Sequence, residues 1–223
     1  MADDIAPPDP GRAGTRAVVG PDGVARCVWG EMPADLREYH DTEWGLEVRG
    51  ETALFERLTL EAFQSGLSWL TILRRREGFR AAFDDFDVER IAAYDDQRVA
   101  ALLTDTRIIR NRAKVDATVR NARAALDLRA ADGDDALDRL IWSHRPEVSP
   151  RPATMEEVPT TSAASVALAR ALKSRGFSFV GPTTAHALME ACGLVDTHLT
   201  GCFRRGLSGR DDEAPGSGGG QRP

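Results

Sequence analysis

The chain has 223 residues, 42% of them hydrophobic and 29% charged, with a formal net charge of −6; this supplies a sizeable core but no run near the roughly 20 apolar residues that cross a bilayer. The start of the chain lacks the basic-then-apolar layout of a secretion signal, and an odd cysteine count, Cys27, Cys192 and Cys202, reads as thiols or metal ligands in a reducing compartment and not as disulfides. A cytosolic protein is expected, and its acidic balance does not by itself favour a nucleic-acid partner, whose phosphates require Lys and Arg.

Residues 1–25 hold Pro7, Pro8, Pro10 and scattered glycine without apolar periodicity, so a disordered amino-terminal extension is expected, followed by one globular domain over 26–206 and a Gly/Ser/Pro-rich disordered tail over 207–223. Helical spacing dominates and strand-like alternation is nearly absent. Leu54, Phe55, Leu58 and Ala62 mark an amphipathic helix from Thr52 that stops near Gly66. A second, from Ser68 through Trp69, Ile72 and Leu73, is expected to end before Gly78; shorter ones follow at about 88–93, capped by Asp87, and 95–104. A long helix is expected from Arg112 to Ala130, one capped by Ser162 through Leu172, and a last one from Thr183 to Ala191, stopped at Gly193. The predicted architecture is an irregular all-α bundle without internal repeats.

Three groups of residues suggest chemistry. Cys27 and His40 lie near the start, and His198 and Cys202 stand at i, i+4 near the end; together they form a Cys₂His₂ set suited to tetrahedral zinc, closed to water and therefore structural. Each half alone is compatible with accident. Cys192, beside Met189, reads as a packed thiol, and His144 and His186 as ordinary packing or surface residues. Second, Glu61 falls three residues past Leu58, on the apolar stripe of its helix. A carboxylate there implies a partner, a raised pKa or a ligand; a helix-face Glu that pairs with an arginine or lies at the rim is the plainer alternative. Trp29, Tyr39, Trp44 and Trp69 nearby are core rings or a stacking surface, and rings beside a carboxylate suit a flipped base. Third, from Asp105 to Arg123 six basic residues (Arg107, Arg110, Arg112, Lys114, Arg120, Arg123) face two acids. That is either a solvated helix face or a phosphate-binding junction at a helix amino terminus.

Read together, Arg26-Cys-Val-Trp-Gly, Tyr39-His-Asp-Thr-Glu-Trp-Gly, Leu60-Glu-Ala-Phe-Gln-Ser-Gly-Leu-Ser-Trp, Arg175-Gly-Phe-Ser-Phe-Val-Gly and Ala191-Cys-Gly-Leu-Val-Asp-Thr-His resemble the 3-methyladenine DNA glycosylase I family, in order and spacing from about Arg26 to Phe203. The resemblance implies a helix-hairpin-helix glycosylase fold with one structural zinc on Cys27, His40, His198 and Cys202. It implies a pocket in which Glu61 reads a flipped 3-methyladenine while Trp69 and Tyr39 stack on it, with Trp29 close by. It implies a monofunctional hydrolase that acts on alkylated double-stranded DNA and releases the free base, leaving an abasic site; Asp116 is not a catalytic aspartate in this family, and a monomer is the default expectation. Two departures stand out. Arg107 and Ala113 occupy places where the family commonly has hairpin glycines, so DNA contact by Arg107, Arg110, Arg112 and Lys114 is expected to rely on side-chain charge; Leu36 stands where relatives can carry an aromatic. A zinc-stapled DNA-binding module without catalysis and a small metallohydrolase are the competing classes, the latter requiring a zinc with an open position.

Overall fold

The computed structural model describes residues 16–207, and the expected disordered ends at 1–15 and 208–223 lie outside the described residues. Two short antiparallel strands, β1 (Val18–Val19) and β2 (Ala25–Arg26), pair Val18 with Arg26 and Val19 with Ala25. Ten α-helices follow among the described residues: α1 (Ala34–Thr42), α2 (Glu51–Gln64), α3 (Trp69–Leu73), α4 (Arg76–Ala82), α5 (Val88–Ala92), α6 (Asp96–Leu102), α7 (Arg112–Asp132), α8 (Ala136–Trp142), α9 (Ala163–Ser174) and α10 (Pro182–Ala191). Residues 16–25, assigned to a disordered extension on composition, thus include a strand pair held through Arg26, whose guanidinium donates to Asp22 at 2.7 Å and Asp41 at 2.9 Å. No helix of the described residues is long and apolar enough to cross a membrane.

The core is built around α2. Leu54, Phe55, Leu58, Leu60 and Phe63 are fully buried, each such side chain stabilising the fold by about 2–3 kcal/mol relative to exposure. Helices α3, α7, α8 and α10 all pack against α2. From Leu58 to Phe63 every residue is buried, so at Glu61 the helix has no polar side at all. Phe63 and Phe79 meet edge to face with centroids 4.8 Å apart, which joins α2 to α4.

Local signals account for most helix starts. Asp87 accepts from Glu89 N and Arg90 N, and Ser162 forms a capping box with Ser165, as expected from the sequence; Ser68, Asp95 and Asn111 cap α3, α6 and α7. Pro182 occupies the first turn of α10, one residue before the expected start. The expected helix from Ser68 to Gly78 is instead two helices, and Gly78 lies inside α4 instead of ending it. A Cβ on Gly78 would sit 2.7 Å from the carbonyl oxygen of Arg107, so this glycine serves the close approach of α4 to the α6–α7 connection. That connection turns without left-handed backbone at Arg107, and Ala113 is helical within α7, which shows how the chain dispenses with glycine at both places.

Candidate active site and metal cluster

A cavity of about 220 Å³ opens where α2 meets α10 and the loops from the two ends of the chain. Its walls include Trp29, Tyr39, Trp44 and Trp69, with Glu61 and Glu190 as its carboxyl groups. Tyr39 and Trp69 lie 5.3 Å apart, and Trp29 is 6.5 Å from Tyr39 and 4.9 Å from Trp44, so the rings form a continuous wall. A larger cleft of about 800 Å³, lined by Arg74, Arg75 and Arg107, lies on the outer surface; its ionisable side chains are all exposed.

Glu61 is 6% exposed. Burial pushes its carboxyl up to about 8, the neighbouring Glu190 adds to the rise, and Arg57 opposes it. Arg57 offers limited relief because it is paired with Glu43. The reading of Glu61 as a carboxylate without a solvated outlet therefore resolves as a raised pKa and not as an arginine pair at the rim. Tyr39 is 4% exposed, and its phenol is held well above its ordinary value by burial and then by Glu61.

Three of the four ligand-type residues, Cys27, His40 and Cys202, come together beside this cavity, and His198 stands next to them without joining their cluster. Ligand atoms of Cys27, His40 and Cys202 all lie within 4.8 Å of one another, with Cys202 Sγ 3.4 Å from His40 Nε2. His198 stands edge to face with His40 at a centroid distance of 5.4 Å. Both imidazoles have Nδ1 engaged by a carboxylate, His40 by Asp41 at 2.8 Å and His198 by Asp196 at 2.9 Å. Assigning the ring proton to Nδ1 in each case leaves Nε2 with a free lone pair, the arrangement found behind metal-bound histidine. His198 Nε2 is fully buried with no hydrogen-bond partner, an orphan acceptor in a protein interior. Cys27 Sγ accepts from Leu199 N at 3.3 Å, and the Cys202 thiol is lowered towards the thiolate by the hydrogen bond from Cys27. The donor set, its burial and the orphaned Nε2 fit a divalent metal of borderline softness. The cluster also touches the cavity wall: Trp29 packs on His40 at 5.1 Å and Trp44 on His198 at 4.4 Å.

The basic segment is only partly a surface. Arg107, Arg110 and Arg112 are exposed; Arg107 pairs with Asp105 at 2.7 Å and Arg112 reaches Asp116 at 3.9 Å. Lys114, grouped with them on charge, is 7% exposed and turned inward, its Nζ donating to Phe63 O at 2.8 Å and Ser65 O at 2.7 Å. It closes the carbonyl end of α2, and its ammonium is not offered to a phosphate.

Among the residues that the sequence reading did not single out are Glu190 and Thr197, which line the cavity, and Arg57, whose charge acts on Glu61. Glu190 carried the same signal as Glu61, an acid set within an apolar run, here between Met189 and Ala191, both buried. Cys192 is fully buried as expected, its thiol pushed up to about 12 by burial, and His186 is buried in the core. Leu36 is half-buried on α1.

Comparison with known proteins places this geometry. A profile of the methyladenine glycosylase family matches residues 29–205. DNA-3-methyladenine glycosylase 1 of Escherichia coli (strain K12) is 43% identical over 182 residues, covering 80% of this chain and 96% of that protein. A crystal structure of a 3-methyladenine DNA glycosylase I superposes with a TM-score of 0.76 at 43% identity, over 80% of this chain and 98% of that one. A Staphylococcus aureus 3-methyladenine DNA glycosylase I, solved to explain recognition of 3-methyladenine, gives 0.74 at 34% identity, over 79% of this chain and 94% of that one. With a match over most of its length and the ring-lined carboxyl pocket in place, the chain belongs to the methyladenine glycosylase family.

Proposed function

We propose that this protein is a monofunctional base-excision repair glycosylase that hydrolyses the N-glycosidic bond of 3-methyladenine in alkylated DNA, releasing the free base and leaving an abasic site. The observation that carries the reading is Glu61, a carboxyl group with no polar helix face, placed in a cavity walled by aromatic rings. A 3-methylated adenine nucleotide carries a positive charge on its base, so the base leaves neutral and needs no general acid. Its arrival supplies the counter-charge that the empty cavity withholds from Glu61, and the carboxyl ionises against it. In that dry setting the ionised carboxylate favours the cationic base over neutral adenine, and the damaged base is also the cheapest to unstack. Tyr39 and Trp69 would stack on the flipped ring from this wall, with Trp29 close by. Water completes the reaction at the sugar.

We assign Cys27, His40, His198 and Cys202 as ligands of one structural zinc. When bound, zinc supplies a tetrahedral cross-link and, with four protein ligands, no open position for catalysis; this disfavours a metallohydrolase. Asp41 and Asp196 orient the two imidazoles, and the cross-link ties the segment after β2 to the segment after α10. The α6–α7 connection is read as the hairpin of a helix-hairpin-helix element, with Arg107, Arg110 and Arg112 contacting phosphates of double-stranded DNA through side-chain charge. A cytosolic monomer is the accompanying reading, its location supported by three buried cysteines of which none forms a disulfide. The test is incubation with methylated duplex DNA and mass analysis of released bases. Free 3-methyladenine above the spontaneous background is expected; its absence would leave a zinc-stapled DNA-binding module in place of an enzyme.

A further inference from the structure

The base cavity contains a second carboxyl group, Glu190. It projects from α10, the helix packed on α2, so the two acids enter one cavity from two adjoining helices. The Glu190 side chain is 16% exposed, and Thr197 Oγ1 donates to its Oε1 at 2.6 Å, which fixes the carboxyl at the wall. Among the described residues no lysine or arginine forms an ion pair with Glu61 or Glu190. The charged and titratable groups around the pair are Arg57, which is held by Glu43, Tyr39 on α1, His186 on α10 and Cys192 at the carboxyl end of α10. His186 Nε2 lies 3.8 Å from Glu190 Oε1, too far for a hydrogen bond, and burial keeps this imidazole neutral. The protein thus neutralises neither acid. Two carboxyls sharing a cavity with no ion-pair partner, and only the Glu43-bound Arg57 as a nearby cation, destabilise the fold unless something cationic occupies it, and a hydroxyl-anchored carboxyl is preset for such an occupant.

We propose that Glu190 is a second specificity residue of the base pocket, forming with Glu61 a paired-carboxylate site for a purine made cationic by N-alkylation. The inference rests on the reading of the cavity as the base pocket. Burial, reinforced at Glu61 by the neighbouring Glu190, pushes Glu61 up to about 8, and burial pushes Glu190 up to about 7. Entry of the cationic base displaces the bound proton to solvent, so excision should rise with pH as the pair ionises. Thr197 is a positioning residue in this scheme: its hydroxyl holds Glu190 and favours the ionised form.

The experiment measures single-turnover release of 3-methyladenine from methylated duplex DNA between about pH 5.5 and 8.5, for wild type, Glu61→Gln, Glu190→Gln and Thr197→Val, with melting temperature and zinc content recorded for each. The amide introduced by Glu190→Gln can still accept from Thr197, so a folded, zinc-replete variant is expected. Its plateau rate should fall about ten- to a hundredfold. Its acid limb should move down by about one pH unit, because Glu61 no longer feels a neighbouring charge. Thr197→Val should move the limb the other way. A Glu190→Gln enzyme with the wild-type rate and midpoint overturns the proposal, as does a uniform rate loss with an unmoved midpoint, which marks a structural role. Loss of activity in Glu61→Gln alone would sink only this inference, whereas no base release by the wild type would sink the pocket itself.

Discussion

If Glu61 is kept for the base and not for the fold, its replacement should make the protein more stable as it makes it less active. The ordinary value of the group is 4.5 and its folded value about 8. A carboxyl raised on folding contributes stability that is complete below the unfolded pKa and lost as pH rises through the folded one. The loss runs at about 1.4 kcal/mol per pH unit between the two values, so from about pH 5.5 to 8, or about 2.5 units, the ceiling is about 3 kcal/mol. Water admitted to the cavity screens part of this, and about 1–3 kcal/mol is the expected range. The amide of Glu61→Gln does not titrate. Whatever a buried amide costs in the variant is the same at both pH values, so it cancels when the difference from wild type is compared between them. At about 2–4 °C per kcal/mol for a chain of this size, the melting temperature of Glu61→Gln relative to wild type should rise by about 3–10 °C between pH 5.5 and 8.5. Calorimetry of both proteins at both pH values measures it, alongside excision, which should fall strongly. A difference in melting temperature that does not change with pH would refute the reasoning, because it would mean that Glu61 already has a counter-charge in the free protein.

The metal cluster and the basic segment give further expectations. Cys202→Ser should bring zinc from about one per chain to near zero by elemental analysis and lower the melting temperature by several degrees, since metal binding and folding share one free energy; an equally stable, metal-free wild type would remove the clasp. Asp196→Asn, which weakens the hydrogen bond to His198 Nδ1, should reduce zinc affinity about 10–100-fold in competition with a chromophoric chelator, and unchanged affinity would count against His198 as a ligand. Lys114→Met should cost about 1–3 kcal/mol of stability while leaving the salt dependence of DNA binding intact. Arg110→Ala should spare stability and reduce the slope of log K against log salt concentration by about one. The reverse pattern would restore Lys114 to the DNA interface.

Much of this was legible in the residues because it follows from local rules. The helix around Glu61, the caps at Asp87 and Ser162 and the stop at Gly193 are each decided within a few residues. The helix α1 was not, because only Tyr39 and His40 of its nine residues are buried and no side chain caps it, so periodicity is too faint to show. Lys114 and Gly78 were misread for a common reason. Each answers to a segment distant in sequence, Lys114 to the end of α2 and Gly78 to the backbone at Arg107, and charge or glycine type alone does not reveal which partner a fold will bring. Glu190 is different: its signal was present and matched that of Glu61, but its neighbours Met189 and Cys192 directed attention to packing.

The structure also connects two features that the sequence kept separate. Cys27 and His40 lie at one end of the chain and His198 and Cys202 at the other, whereas Glu61 sits in the central helix, so clasp and pocket read as independent. In the folded protein Trp29 and Trp44 are packed on His40 and His198 on one side and face the base cavity on the other. On the proposed zinc assignment, an imidazole fixed by both a carboxylate and a metal would be a rigid backing for an aromatic wall, and stacking on a base gains most from rings that need not be ordered on binding. The same loops that carry the ligands carry Thr197, which anchors Glu190. Burying two carboxyls without ion-pair partners beside that wall opposes folding locally, and the proposed cross-link would supply stability where the pocket consumes it. With zinc bound as proposed, the clasp would support the selectivity of the pocket as well as fasten the two segments.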